Sequence, residues 1–435
     1  MKIYNFKDLN KEELKELCSR SISDDNLVKS RTEEIINNVK SNGDNALLSY
    51  AQQFDNIELS SLFIGKEELA KLSKEIPADV KTAIDTAYQN IYTFHASQLK
   101  TEEKVETMPG VTCWRESRAI ERVGLYIPGG TAVLPSTFLM LGIPAKIAGC
   151  KEIVVCSPPQ NDGKVNCYIA YVATLLNIEK VYLVGGAQAV AAMAYGTETI
   201  PQVYKIFGPG NRYVTEAKKQ VQNSVAIDMP AGPSEVLVLA DETAIPSYVA
   251  ADLLAQAEHG TDSQSILTVT SNKTAIEVIK EVEKQLADLP RKDIAKAAID
   301  NSYIVLVENL VQGMEYSNIY APEHLILATE NYQSLIPLII NAGSVFLGNL
   351  TPESAGDYAS GTNHTLPTSA FAKAYSGVSV DTFIKKITFQ HLDNNGLKNI
   401  GKTVEVLAQA EGLQAHKNAV TTRLKSPSLS STSLP

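Results

Sequence analysis

From Arg118 onward the sequence alternates short apolar runs with helical stretches, and no other feature restricts the fold so much. Val123–Ile127, Glu152–Cys156, Val181–Val184, Val203–Phe207 and Ser224–Ile227 are each rich in Val, Ile, Leu or aromatic residues. Glycine and proline punctuate them at Pro128-Gly129-Gly130, Pro158-Pro159, Gly185-Gly186 and Gly208-Pro209-Gly210. A run that is apolar on every side chain must be covered on both faces, and the intervening helical stretches can supply the cover. The pattern predicts a mostly parallel sheet. It restarts at Glu235–Ala240 and continues through Ser265–Val269, Tyr303–Val307, Leu325–Ala328 and Ser344–Leu347. Two α/β units are predicted, with a boundary near Asp228–Ser234.

The first hundred residues read as helices. Asn10 can cap one, with Glu13 as its capping-box partner and Leu14, Leu17 and Cys18 as its apolar stripe. A second is predicted from about Asp25 to Lys40, with Leu27, Ile35 and Val39 inward and Gly43 as its stop, and a third over roughly Ala78–Leu99. Residues 348–377 are rich in Gly, Ser, Thr and Pro and have little periodicity, which predicts a long loop of the kind that carries function or is disordered. Ser426 to Pro435 read as a floppy tail.

At 435 residues, with 44% hydrophobic, the chain is long enough for two or three cored domains. Lys+Arg number 39 against 49 Asp+Glu, a net charge of −10 with no basic cluster, which argues against nucleic acid or an anionic membrane as partner. The five cysteines, Cys18, Cys113, Cys150, Cys156 and Cys167, form no C-x-x-C pair and read as reduced cytosolic thiols. Without a signal-peptide core or an apolar run of about 18 residues, a soluble cytoplasmic protein is expected.

The histidines carry most of the remaining information. His95 and His391 read as structural or surface residues. His259 closes a predicted helix, three residues after Gln256, so imidazole and amide share a face and could meet one ion; alternatively, His259 complements the helix C-terminus. Glu323-His324 places two bases of different pKa side by side, although adjacent side chains often point apart. Asp357 and His364 fall in the long loop, where a ligand role and an Asx-turn role both remain open. Glu411 and His416 are five apart, a spacing that does not put them on one helical face. Pooled, a Gln/His/Asp/His set would suit a metal of borderline hardness such as zinc. Phe207-Gly208-Pro209-Gly210-Asn211-Arg212-Tyr213 follows a strand and opens a helix, as an anion site would, but Tyr213 replaces the third glycine of the dinucleotide motif; a plain turn remains open.

Taken together, these stretches resemble the histidinol dehydrogenase family. The similarity runs through Val123–Gly130, Gly185–Ala189, Phe207–Asn211, Asp228–Glu235, Gln256–Gly260, Tyr320–Leu325, Thr351–His364 and Ala415–Asn418, in the family's order, from about residue 20 to 424. The resemblance implies oxidation of L-histidinol through the aldehyde to L-histidine, the last step of histidine biosynthesis, with reduction of two NAD⁺. It implies one zinc per subunit, held by Gln256, His259, Asp357 and His416, and acid/base roles for Glu323 and His324. Substrate contacts would come from Ser234, Gln256, His259, His324, Asp357, His364, Glu411 and His416, and NAD contacts from Tyr126, Gln188 and Asn211. A homodimer with shared sites is also implied.

The expected fold class is α/β: two Rossmann-like parallel-sheet domains with a helical N-terminal segment and a C-terminal extension. The expected division is a helical segment over 1–22, a discontinuous first α/β domain over 23–118 and 234–378, a second Rossmann-like domain over 119–233, a C-terminal dimerisation segment over 379–425 and a disordered tail over 426–435. Three other activities fit parts of the pattern: an aldehyde dehydrogenase using Cys113, Cys150 or Cys156, a zinc hydrolase, and a binding protein for histidine-like ligands.

Overall fold

The computed structural model describes residues 1–20, 26–129, 133–230 and 232–426. The expected tail beyond Ser426 and the expected helix start at Asp25 lie outside these. The chain opens with strand β1 (Lys2–Asn5), helices α1 (Lys11–Leu17) and α2 (Asn26–Tyr50), strand β2 (Phe63–Gly65) and helices α3 (Lys66–Leu72) and α4 (Ala78–Ala96). Strands β3 (Val105–Met108), β4 (Val111–Ala119) and β5 (Arg122–Tyr126) precede α5 (Pro135–Ala148), β6 (Glu152–Ser157), α6 (Cys167–Leu175), β7 (Lys180–Leu183), α7 (Gly186–Tyr195), β8 (Lys205–Phe207), α8 (Arg212–Gln220) and β9 (Ala226–Ile227). A second run follows: β10 (Glu235–Ala240), α9 (Pro246–Ala257), β11 (Gln264–Val269), α10 (Asn272–Leu286), α11 (Lys292–Asp300), β12 (Tyr303–Leu306), α12 (Leu310–Tyr320), β13 (His324–Ala328) and β14 (Ser344–Leu347). Last come α13 (Glu353–Tyr358), β15 (Ile384–Leu392), α14 (Asn394–Ala410) and α15 (Gln414–Leu424). Each predicted strand is present, its ends shifted by no more than about two residues, the usual uncertainty of element boundaries.

The chain forms two compact units. One comprises Met1–Gln98 and Ile120–Phe383, the other Leu99–Ala119 and the residues from Ile384 on. The larger unit holds both α/β sheets. One, in the order β1-β12-β11-β10-β13-β14, is wholly parallel. The other, β2-β7-β6-β5-β8-β9, is parallel except for its edge strand β2. Every residue of β10 is buried: Val236, Val238 and Ala240 pack with α9 on one face, and Leu237 and Leu239 pack with Tyr316 on the other. Coverage on both faces is what a continuous apolar strand in a parallel sheet requires.

Four expectations about organisation are corrected. The first segment is not purely helical, because Lys2–Asn5 pairs with Tyr303–Leu306 as a strand. Residues 26–96 do not join the 234–378 sheet. Ile36, Val39, Leu47 and Tyr50 of α2 share a core with the alanine-rich face of α7, while α3 and α4 pack on α6 and α5. Gly43 (φ 52°) kinks α2 without ending it, since Ala46, Leu47 and Tyr50 continue the buried stripe beyond the kink. Residues 99–119 group with the C-terminal segment: β4 pairs along its whole length with β15, and Trp114 stacks on Phe389 at 5.4 Å. In this smaller unit the sheet order is β15-β4-β3, joined by α14 and α15. Among the described residues no helix is long and apolar enough to cross a membrane.

Candidate active site

In the larger unit, titratable groups gather at the amino ends of β10 and β13, which lie side by side with Val236 opposite His324. The chain enters β13 through Ala321, whose left-handed φ of 55° ends α12 and turns Pro322-Glu323 inward. Holding a non-glycine residue there costs on the order of 1–2 kcal/mol, which the turn sustains because it is fixed on both sides. The Glu323 carboxylate accepts the Glu235 N–H at 2.8 Å. His324 Nδ1 lies 3.2 Å from the Glu235 carbonyl oxygen. A carbonyl can only accept, so Nδ1 carries a proton, and Nε2 faces Asp357 Oδ1 at 3.4 Å.

Two helices complete the cluster. Gln256, fully buried in the last turn of α9, satisfies both its amide atoms when the nitrogen donates to Glu353 and the oxygen accepts the Glu235 N–H at 3.0 Å. Glu353 and Asp357 are four apart on α13 and so share one face. Glu353 Oε1 sits 3.7 Å from His324 Nδ1, and the Glu353 residue is 1% exposed. Burial pushes Glu323 up to about 8 despite the attraction of His324, and drives Glu353 well above the usual carboxylate range. Burial alone would lower His324, but Glu353, Glu323 and Asp357 outweigh it and hold the imidazole well above the ordinary histidine range. Asp357 is held below its ordinary value, because contact with His324 outweighs its burial.

The donor set fits a metal ion. Ligand atoms of His324, Glu353 and Asp357 lie within 4.8 Å of one another. His324 Nε2, Glu353 Oε2 and Asp357 Oδ1 are buried with no hydrogen-bond partner. Leaving such atoms unpaired is costly, and a cation at Asp357 would satisfy its free oxygen. Imidazole, carboxylate and carboxamide donors together suit zinc.

A second feature lies at the carboxyl ends of the other sheet. Chain order reverses between β5 and β8, the place where open α/β sheets bind ligands. Tyr126 ends β5, and its hydroxyl accepts the Gly186 N–H at 3.2 Å. Buried Gln188 lies in the first turn of α7. Asn211 follows β8 and caps α8, accepting N–H groups from Tyr213 at 3.0 Å and Val214 at 3.2 Å. Gly208 (φ 129°) passes so close to the Tyr126 carbonyl that a Cβ would collide with it. Beside these loops opens a cleft of about 800 Å³ lined by Gly129, Pro158, Pro159, Phe54 and Asp55.

A family model described as histidinol dehydrogenase matches residues 18–424. The chain belongs to the histidinol dehydrogenase family. That membership makes it an enzyme, an oxidoreductase. The histidinol dehydrogenase of Bacteroides thetaiotaomicron is 56% identical over 415 residues, 95% of this chain and 97% of that one. The chloroplastic histidinol dehydrogenase of Arabidopsis thaliana is 51% identical over 430 residues, 98% of this chain and 92% of its own length. The crystal structure of histidinol dehydrogenase from Elizabethkingia anophelis matches with a TM-score of 0.95 at 50% identity, covering 99% of each chain.

Of the ligands expected for a histidinol dehydrogenase, Gln256 and Asp357 meet in the cluster. His259 lies beyond the C-terminus of α9, within electrostatic reach of Asp357 and His324. Ser234 directly precedes β10. His364 is committed on both ring nitrogens: Nδ1 donates to the Asp357 carbonyl at 2.9 Å, and Nε2 accepts from the Thr137 hydroxyl at 2.8 Å. It thereby ties the α13 segment to α5. Glu411 and His416 belong to the smaller unit, and both are exposed. Sequence reading missed Glu353, although its spacing of four from Asp357 was there to be read. It also missed Glu235, which looks like an ordinary strand residue. Two of the candidate thiols give no support to cysteine catalysis: burial pushes Cys150 up to about 11 and Cys156 higher still.

Proposed function

We propose that this chain oxidises L-histidinol to L-histidine in two NAD-linked steps at the Glu323/His324 cluster. The observation that carries the reading is the His324 imidazole, oriented by the Nδ1 contact to the Glu235 carbonyl with Nε2 toward Asp357. In the first step the deprotonated form of His324 takes the hydroxyl proton at Nε2 while hydride leaves the carbinol carbon for NAD⁺. The aldehyde then gains water, with Glu323 as the base. A carboxyl near 8 exchanges protons readily around neutral pH, and such a base is worth about 10²–10⁴ in rate. A second hydride passes from the hydrate to a second NAD⁺, leaving the carboxylate of histidine.

Gln256, His259, Asp357 and His416 would hold one zinc ion per subunit. When bound, the ion supplies a Lewis-acidic template for the nitrogen donors of the substrate. The uncharged Gln256 ligand leaves such a site more positive than an all-carboxylate one, which favours neutral nitrogen donors. Ser234, His364 and Glu411 would border the substrate; the bonds of His364 support an indirect part, through Asp357, more than a direct one. Tyr126, Gln188 and Asn211 would bind NAD at the switch point of the second sheet. The proposed assembly is a homodimer in which C-terminal residues of one subunit complete the site of the other. A cytoplasmic location is proposed from the five free cysteines.

The test is NAD⁺ reduction by L-histidinol with zinc-loaded protein and its His324→Asn variant. Reduction by the wild type and its loss in the variant, with zinc retained, is expected. Full activity in the variant would remove His324 from the mechanism.

A further inference from the structure

One buried cation behind the cluster has no part in the chemistry just described. The Arg20 guanidinium donates from Nη2 to Glu235 Oε2 at 2.7 Å, and from Nη1 to the Tyr320 carbonyl at 2.8 Å and the Cys18 carbonyl at 3.2 Å. It lies 3.6 Å from the centroid of the Tyr320 ring, and its side chain is 9% exposed. The Tyr320 hydroxyl is fixed in turn by Gln264 at 2.7 Å. The other Glu235 oxygen accepts the Ser369 N–H at 2.5 Å.

Arg20 therefore grips two places at once: the first residue of β10 and the last residue of α12, three positions before Glu323. The backbone of Glu235 contacts three members of the cluster. Its N–H is shared by the Glu323 carboxylate and the Gln256 amide oxygen, and its carbonyl receives His324 Nδ1. A planar fork can bridge a carboxylate and a carbonyl in fixed geometry, whereas a lysine ammonium is a point donor on a flexible stem. The N-terminal segment that carries Arg20 is itself anchored, with Leu14 and Leu17 in the Tyr303/Tyr316 core and the Tyr303 hydroxyl donating to the Leu17 carbonyl at 2.9 Å.

We propose that Arg20 is a positioning residue: by fixing Glu235 against Tyr320 it sets the direction of the Glu323 carboxylate and the orientation of the His324 imidazole. The inference rests on the acid/base roles proposed above. Because it acts on both residues, its loss should slow the alcohol and the aldehyde oxidations alike.

The test uses zinc-loaded, full-length Arg20→Lys and Arg20→Ala. Lysine keeps the buried charge and so gives the variant most suited to folding. Supporting partners of this kind typically contribute about 10–100-fold in activity, and a fall of that order in kcat is expected with each substrate. KM for histidinol and NAD and the zinc content should stay near wild type. Guanidinium at millimolar concentration should restore part of the Arg20→Ala rate, and sodium chloride at equal ionic strength should not. Wild-type kcat in Arg20→Lys overturns the proposal. So does a loss explained by raised KM or missing zinc, or one step slowed without the other. If the wild type itself reduces no NAD⁺ with histidinol, the proposed function has failed; if it does and Arg20→Lys matches it, only the positioning role has.

Discussion

Replacing Lys218 with methionine tests how the loop after β8 is held. Lys218 Nζ donates to the Gly208 carbonyl at 3.0 Å and pairs with Asp228. Asp228 accepts the Gly208 N–H at 2.9 Å and the Met229 N–H at 2.7 Å. The side chains of Lys218 and Asp228 are 5% and 0% exposed. The pair thus clasps both backbone groups of Gly208, the residue that must pass against Tyr126. Methionine nearly matches lysine in length but leaves the Asp228 carboxylate buried with two N–H donors and only the electrostatic reach of Lys205. Removing one member of a buried ion pair costs about 3–5 kcal/mol. With an unfolding entropy of about 2.1 cal/mol/K per residue, a cooperative unit of about 350 residues should lose roughly 4–7 °C in melting temperature. Differential scanning calorimetry of the zinc-loaded protein measures this directly. KM for NAD should rise with the loosened loop, while KM for histidinol and zinc content should not. Lys218→Met combined with Asp228→Asn removes both charges and should recover part of the loss. A melting temperature unchanged within error in the single variant would refute the reasoning.

Glu323→Gln should slow the aldehyde step by about 10²–10⁴ and the alcohol step much less, since only the former needs activated water; equal losses, measured with histidinol and histidinaldehyde separately, would contradict that division. His259→Asn should abolish activity and weaken zinc retention, and a variant with normal zinc content and rate would remove His259 from the ligand set. Asp252, whose carboxyl burial pushes up to about 7, keeps its proton when folded at pH values where the unfolded chain has lost it. Metal-free protein should therefore lose stability as pH rises from about 4 to about 7, and Asp252→Asn should flatten that loss in thermal melts.

The parallel strands were legible because residues buried on both faces leave nearly unbroken apolar runs, as at Glu235–Ala240 and Val181–Leu183. The loop after β8 also stood out, as an anion site or a plain turn, since Gly208 and Asn211 follow a strand directly; that chain order reverses there is visible only in the sheet. Helix α13 was not legible. Six residues give too little periodicity to stand out from a Gly- and Ser-rich stretch, so Glu353 went unread beside Asp357. The packing of α2 on α7 was hidden for a different reason. An amphipathic stripe says that a face is buried but not against which sheet. The metal-fitting cluster gathers at the amino ends of β10 and β13, opposite the end where α/β sheets usually bind ligands. Only the return of α9 and of the 348–358 segment to that end brings Gln256, Glu353 and Asp357 to His324. Arg20 and Glu235 meet across 215 positions of sequence, a contact that no local pattern announces.

The most direct test of the whole account is the amount of NADH formed per molecule of L-histidinol consumed by purified protein, before and after metal stripping and zinc return. The account predicts close to two equivalents, lost with the metal and restored by zinc. A single equivalent would mean that oxidation stops at the aldehyde and that Glu323 does not activate water. No NADH from folded, zinc-loaded protein would contradict the proposed function outright.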